Sequence, residues 1–369
     1  MTVPRRTLLH VFPTFAVGGA QMRFVQLANH FGRSYRHFIV SMSGNAEAFT
    51  RLSPDLDATL MPVAVKPGRT WPNLRTFRRV LKELRPDLLI TSNWGTMEWA
   101  VANCDGLAPH LHMEDGFGPE EVARQLPRRI WTRRLALRRS TVMLPSRTLH
   151  TIASDIWRLP KRRLLHIPNG VDCERFGTGA DPAFATARDL VGREPLIGTV
   201  SALRAEKNLS RLIEAFAEVV RLRPARLAIV GDGPELSRLK ARASELGVAD
   251  RVVFTGACAE PEKLLPSFTV FALSSDTEQM PLSVLEAMAA GLPVAATNVG
   301  DVRNMVSAEN RPFVVDGGAI PLAQAILALL ENPARATWIG KENALRAGKV
   351  FDRSLMFAAY RDLFDGVPR

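Results

Sequence analysis

Cysteine is scarce in this chain: Cys104, Cys173 and Cys258 are the only three in 369 residues, far apart and without a C-x-x-C pair. That excludes a disulfide framework and a cysteine-based metal knuckle, and sets a reduced, intracellular compartment as the expectation. No stretch approaches eighteen uninterrupted apolar residues, so no membrane-spanning helix is expected. The G-x-G-x-x-G fingerprint of dinucleotide folds is missing, and no Asp-x-Asp lies in a loop suited to a metal-bound diphosphate. Acidic charge is short as well: 37 Asp and Glu face 48 Lys and Arg, and the whole excess falls within the first 180 residues. Arg5-Arg6 before TLLHVFPTFAVGGA superficially matches a cleavable leader, but His10 and Pro13 interrupt the apolar run. The preferred reading is a first strand, TLLHVF, a glycine turn at Gly18-Gly19 and a helix from Ala20.

With 46% apolar residues, a chain of this length exceeds what one core fills and reads as two globular domains. Strand-like and helix-like runs alternate from end to end, as in parallel sheets joined by right-handed crossovers. LRTFRRVLKELRP is an amphipathic helix, DLLIT a strand and WGTMEWAVA the next helix; STVMLPS and LLHIPNG continue the alternation. Periodicity breaks at VDCERFGTGADPAF and restarts at PLIGTVSAL. The expected domains are 1–180 and 181–369, with a C-terminal helix free to cross back to the first. The expected fold class is α/β: two Rossmann-like, doubly wound domains facing each other across a cleft.

The basic excess concentrates in LPRRIWTRRLALRRS and PKRR. On a helical wheel Arg128, Arg129, Arg133, Arg134, Arg138 and Arg139 fall all around the circumference, a cationic collar rather than an inserting helix. An anionic membrane surface or anionic substrate is the expected partner, and a merely solvated helix is the alternative. Nucleic acid is not expected, because the aromatic residues are scattered rather than interleaved with the basic runs and no nucleic-acid module accompanies them.

The stretch SSDTEQMPLSVLEAMAAGLPV carries Glu278 and Glu286 around a Met-Pro-Leu. FTVFAL before it reads as a buried strand, Pro281 opens a helix of about three turns, Gly291 and Pro293 stop it, and PVAAT is the next strand. Glu278 therefore sits in a strand-to-helix loop, where an α/β sheet presents its ligand crevice. Spacing alone fits a solvated loop acid and a solvated helix acid equally well. SALRAEKNLS places Arg204 and Lys207 after the first strand of the second half, where two cations suit a diphosphate. Gly18-Gly19 lets backbone approach a phosphate at a helix N-terminus, and VGDGPEL reads as a tight turn.

Taken in order, FAVGGAQ, IPNGVD, EKNLSRLIEAFA, AIVGDGPEL, VVFTG and TEQMPLSVLEAMAAGLPVAAT resemble the retaining glycosyltransferases of family 4, which have the GT-B architecture. The resemblance spans nearly the whole chain. It implies that Glu278 bonds sugar hydroxyls of a nucleotide-sugar donor, Glu286 takes the ribose hydroxyls, the backbone of Met280, Pro281 and Leu282 lies at the phosphates, and Gln279 belongs to the same donor-binding stretch. It further implies that Gly18, Gly19, Arg204 and Lys207 meet the diphosphate, with no cofactor and no metal.

Three departures from the family pattern stand out. Gln279 replaces a glycine, Ala202 stands where the diphosphate-binding Arg is usual, and Asp115 in HLHMEDGFGPEE stands in the region of a catalytic histidine. Asp115, Glu114 or His112 then takes the histidine's role, with Asp115 preferred beside Glu278 and Lys207 as catalytic residues. The acceptor, a glycan or lipid-linked hydroxyl, is expected near Asn93, Trp94 and Glu114, on a protein peripheral to the cytoplasmic membrane. Rival readings are a nucleotide-sugar 2-epimerase or glycogen-type phosphorylase of the same architecture, and a basic nucleic-acid binder.

Overall fold

A computed structural model describes residues 5–117, 121, 125–179 and 181–366. The chain divides into two compact units: one runs to Pro168 and takes back the chain from Met356, and the other is Asn169–Leu355. The boundary expected near residue 180 thus falls earlier. Residues 169–172 bond within the second unit: the Asn169 side chain to the Met280 carbonyl, the Val171 amide to the Phe351 carbonyl, and Asp172 to Arg353.

The first unit holds seven parallel strands, β1 (Arg6–Phe12), β2 (Tyr35–Ser41), β3 (Ala58–Leu60), β4 (Leu88–Ser92), β5 (His110–Met113), β6 (Thr141–Leu144) and β7 (Leu164–His166). Their order is β3-β2-β1-β4-β5-β6-β7, so the winding reverses between β1 and β4. Arg6–Phe12, the stretch that mimicked a leader, lies at the sheet centre with Leu8, Leu9 and Val11 fully buried. Among the described residues, helices α1 (Gly19–Phe31), α2 (Thr70–Leu84), α3 (Met97–Ala102), α4 (Pro127–Ala136) and the short Arg147–Thr151 lie between strands. On the terminal helix Arg353–Gly366, Met356, Phe357, Tyr360 and Phe364 share a core with Leu8, Leu27 and Phe31.

In the second unit six parallel strands are ordered β10-β9-β8-β11-β12-β13: β8 (Leu196–Val200), β9 (Arg226–Val230), β10 (Val252–Gly256), β11 (Val270–Leu273), β12 (Val294–Thr297) and β13 (Val314–Val315). Here the winding reverses between β8 and β11, which creates a crevice at their carboxyl ends. The helix after Pro281 covers Leu282–Ala289, two turns rather than three, because Gly291 reaches φ +74° and turns the chain into β12.

The cationic collar is corrected by α4. Arg133 is fully buried and Arg129 nearly so. Arg133 pairs with Glu114 and Glu121 at 3.2 Å each, and Arg129 with Glu121 at 2.9 Å. Their guanidinium groups lie over the Trp94 ring at 4.6 and 5.1 Å, and Arg133 also faces Trp157 at 4.8 Å. A buried arginine is tolerated because two carboxylates and aromatic faces replace its water.

Candidate functional site

At the reversal point of the second unit, two loops are stitched together before any side chain is aimed. Ser201–Asn208 follows β8 and Ser274–Pro281 follows β11; the Asp276 amide donates to the Glu206 carbonyl at 2.9 Å and Ser274 Oγ to the Lys207 carbonyl at 3.0 Å. Asn208 caps helix Leu209–Leu222 and its side-chain amide donates to the Asp276 carboxylate at 3.1 Å. Arg211, on that helix, donates to the Ser274 carbonyl and pairs with Asp276. The result fixes Lys207 against Glu278, Nζ to Oε1 at 2.6 Å, with Ser275 Oγ on the same oxygen at 2.9 Å.

Glu278 is also pinned from behind by its main chain. A Cβ on Gly300, whose φ is +53°, would stand 2.3 Å from the Glu278 carbonyl oxygen, and the neighbouring Asp301 amide donates to the Gln279 carbonyl at 2.9 Å. Only glycine permits both that backbone and that approach. Met280 is buried; its carbonyl accepts from Asn169 Nδ2 at 3.1 Å, and its sulfur meets the Asn169 amide at 3.2 Å. Pro281 is extended at the head of the helix and Leu282 opens it, so the chain arrives as expected from the sequence.

Glu286 sits on that helix among the buried Val284, Leu285, Ala287 and Met288. Burial pushes its carboxyl up to about 7; nearby Glu262 adds to the rise and Arg175 opposes it. Arg175 and the buried Glu262 are themselves paired at 2.7 Å. A carboxyl close to neutrality at physiological pH suits acceptance or donation of hydroxyl hydrogen bonds. Arg204, by contrast, is exposed and lines a cleft of about 160 Å³ with Glu235, Arg238 and Asp276; its carbonyl accepts from the Lys207 amide at 3.0 Å, but among the described residues its guanidinium makes no hydrogen bond or ion pair with Lys207 or Glu278.

In the first unit Gly18 caps α1 in an extended conformation and Gly19 opens it, with open space where a Cβ would stand. Asp115 follows β5: its amide donates to Asn93 Oδ1 at 2.7 Å, and its carboxylate meets the nearly buried Arg23 at 2.5 and 2.9 Å. Burial works against the Arg23 charge, and Asp115 more than offsets it, holding the guanidinium above its usual range. His112 is buried against Thr91 Oγ1 at 2.8 Å, and Glu114 is fully buried on Arg133. Of the three residues weighed for the histidine's role, only Asp115 has solvent exposure; of those expected at the acceptor, Glu114 is buried on Arg133 and the half-buried Trp94 packs on the same guanidinium.

Arg23, Asn169, Ser275 and Gly300 were not legible as site residues. Arg23 reads as one cation on an amphipathic helix, and Asn169 lies in IPNGVD, a motif that spacing alone gives no partner. Among the described residues no group of three or more His, Cys, Asp or Glu is placed to hold a metal ion.

Two family models match in sequence. Residues 17–175 match Glycosyltransferase Family 4, and residues 184–346 match Glycosyl transferases group 1. This chain belongs to the family 4 glycosyltransferases. Among curated relatives, a GDP-mannose-dependent alpha-(1-6)-phosphatidylinositol monomannoside mannosyltransferase of Mycolicibacterium smegmatis is 37% identical over 196 residues, 49% of this chain and 50% of that protein. A 2-deoxystreptamine glucosyltransferase of Streptomyces kanamyceticus is 31% identical over 54% of each chain. The matches therefore span about half the length of these relatives. An Anabaena protein, HepE, solved in complex with UDP, superposes with a TM-score of 0.82 at 19% identity, over 98% of this chain and 99% of that one. That likeness carries the GT-B fold of the family.

Proposed function

We propose that this family 4 glycosyltransferase moves a sugar, with retention of anomeric configuration, from a nucleotide-diphosphate sugar to an acceptor hydroxyl. The observation that carries the reading is the Lys207–Glu278 pair at the reversal point of the second unit, on the same loop and helix as Glu286. Glu278 is assigned to the donor's sugar hydroxyls, Glu286 to the ribose hydroxyls, and Lys207 to the diphosphate. Gly18, Gly19 and the Met280–Leu282 backbone are assigned to the phosphates as the family pattern implies, while the exposed Arg204 lends that role no support.

In the proposed step the bond from the anomeric carbon to the diphosphate oxygen breaks, and the acceptor oxygen bonds the same face of that carbon. The acceptor proton passes to the departing diphosphate. Charge grows on that leaving group, so Lys207 acts more strongly on the transition state than on the bound donor. Asp115, oriented by Arg23 and by the Asn93 side chain, is assigned to positioning the acceptor.

The phosphatidylinositol-linked acceptor in the name of one relative supports a lipid-linked or anionic glycan acceptor, as in cell-surface polysaccharide or glycolipid synthesis. Peripheral contact with an anionic bilayer is proposed through the outer face of α4. There Trp131 and Leu135 are exposed one turn apart beside the exposed Arg128, and the half-buried Arg134 covers the Trp131 ring at 4.7 Å. Calorimetric titration of UDP-, GDP- and ADP-sugars tests the donor assignment: binding of one class, lost on Glu286→Ala, supports it, and no binding of any contradicts it.

A further inference from the structure

The amino edge of the seven-stranded sheet carries a cleft of about 1170 Å³ that the transfer reaction does not use. It is built by four successive connections into adjacent parallel strands: 85–87 before β4, 106–109 before β5, 138–140 before β6 and 160–163 before β7. Asn93 and Asp115 follow the opposite ends of β4 and β5. The four residues of β5 separate the two edges by roughly 13 Å at about 3.3 Å per residue. The cleft is therefore distinct from the site assigned to the acceptor.

Six cations line it, Lys82, Arg85, Arg138, Arg139, Arg162 and Arg163, against a single carboxylate, Asp87. Asp87 is already engaged, accepting from the Thr7 amide at 2.8 Å. Among the described residues none of the six has an acid within ion-pair distance; Lys82 feels the charge of Asp105, which it shares with Arg78. The floor is finished: His110 Nδ1 meets Ser140 Oγ at 2.7 Å and Nε2 meets Thr91 Oγ1 at 2.8 Å, so its polar atoms do not compete for a ligand. Six like charges converging on one concavity repel one another, and a multiply charged anion relieves that repulsion. Guanidinium forks from separate loops match phosphate oxygens in geometry.

We infer that this amino-edge cleft binds a ligand carrying phosphate groups. The volume suits more than a single phosphate, and its source is either the headgroup of an anionic lipid or a soluble phosphorylated compound. The inference stands independently of the donor and acceptor assignments.

The test compares the parent with Arg138→Gln/Arg139→Gln/Arg162→Gln/Arg163→Gln, both in a Lys207→Ala background, which removes the cationic side chain assigned to the donor diphosphate. One arm titrates pyrophosphate; the other sediments the protein with vesicles of phosphatidylcholine, with and without phosphatidylglycerol. A loss of at least tenfold in pyrophosphate affinity without vesicle binding identifies a soluble ligand. A parallel loss of phosphatidylglycerol-dependent sedimentation identifies a headgroup. The matching four-lysine variant, which keeps the charge, retains binding if the cleft is the site. No binding of either probe by the parent, or equal binding by the glutamine variant, overturns the inference.

Discussion

The Arg23 guanidinium grips Asp115 with both nitrogens, Nη1 to Oδ1 at 2.5 Å and Nη2 to Oδ2 at 2.9 Å, from a helix to a loop 92 residues further along the chain. The acid that stands in the histidine region of the family pattern is thus held in one orientation. Asp115→Asn keeps the shape and leaves a nearly buried cation without its counter-charge, which is costly by about 3–5 kcal/mol. The expected outcome is a variant that melts lower, loses transfer by at least a hundredfold, and still binds donor nucleotide in a calorimeter. Wild-type turnover in a folded Asp115→Asn would remove the assignment.

Glu286 gives a signed pH effect. Its carboxyl, at about 7 in the fold against 4.5 when exposed, favours the native state below pH 4.5, and that contribution is lost as pH rises through 7. At pH 8 Glu286→Gln should therefore be more stable than the parent, by up to about 3 kcal/mol, while binding the donor more weakly. Melting curves at pH 5 and 8 check this: the gain belongs to pH 8 alone, and an equal gain at both rejects the shift.

How much of this was legible beforehand differs between fold and site. Buried parallel strands are apolar on both faces, so TLLHVF, DLLIT and PVAAT declared themselves, and Gly291 with Pro293 marked a helix end. β5, HLHM, gave no such signal, since two of its four residues are histidines made tolerable only by Thr91 and Ser140 on neighbouring elements. The helical wheel of α4 failed for a related reason. Arginines around the whole circumference look solvated until Glu114 and Glu121 are seen on the inner face. Likewise Gly300 and Asn169 act on Glu278–Met280 across gaps that local periodicity cannot span.

That correction divides the basic helix into two classes of residue. Arg133→Gln removes the arginine from the buried Glu114, leaves Glu121 on Arg129 alone and should cost about 3–5 kcal/mol, whereas the exposed Arg128→Gln should stay within about 0.5 kcal/mol of the parent. Urea denaturation of the two variants separates them, and equal midpoints would return Arg133 to the surface.

Three buried histidines predict acid lability. Burial holds His10 well below its usual value, His37 at about 4 and His110 at about 3; His10 Nε2 lies 3.1 Å from His37 Nδ1. Neutral in the fold and charged in the unfolded chain, they contribute stability that is complete above pH 6.5 and lost as pH falls toward 4, each by up to about 1.4 kcal/mol per unit. Melting temperature should drop steeply across that interval. A flat profile from pH 6.5 to 4.5 contradicts the buried neutral pair.

The central claim is that the Lys207–Glu278 loop pair and Glu286 form a nucleotide-sugar site, and calorimetry of UDP, GDP and ADP with the parent, Lys207→Ala and Glu286→Ala tests it most directly. The account predicts that one nucleotide binds the parent and that Glu286→Ala weakens it at least tenfold. Turnover with the matching donor should then show a raised KM in Glu286→Ala and a collapsed kcat in Lys207→Ala. Binding of no nucleotide by the folded parent, or undiminished binding by Glu286→Ala, would contradict it.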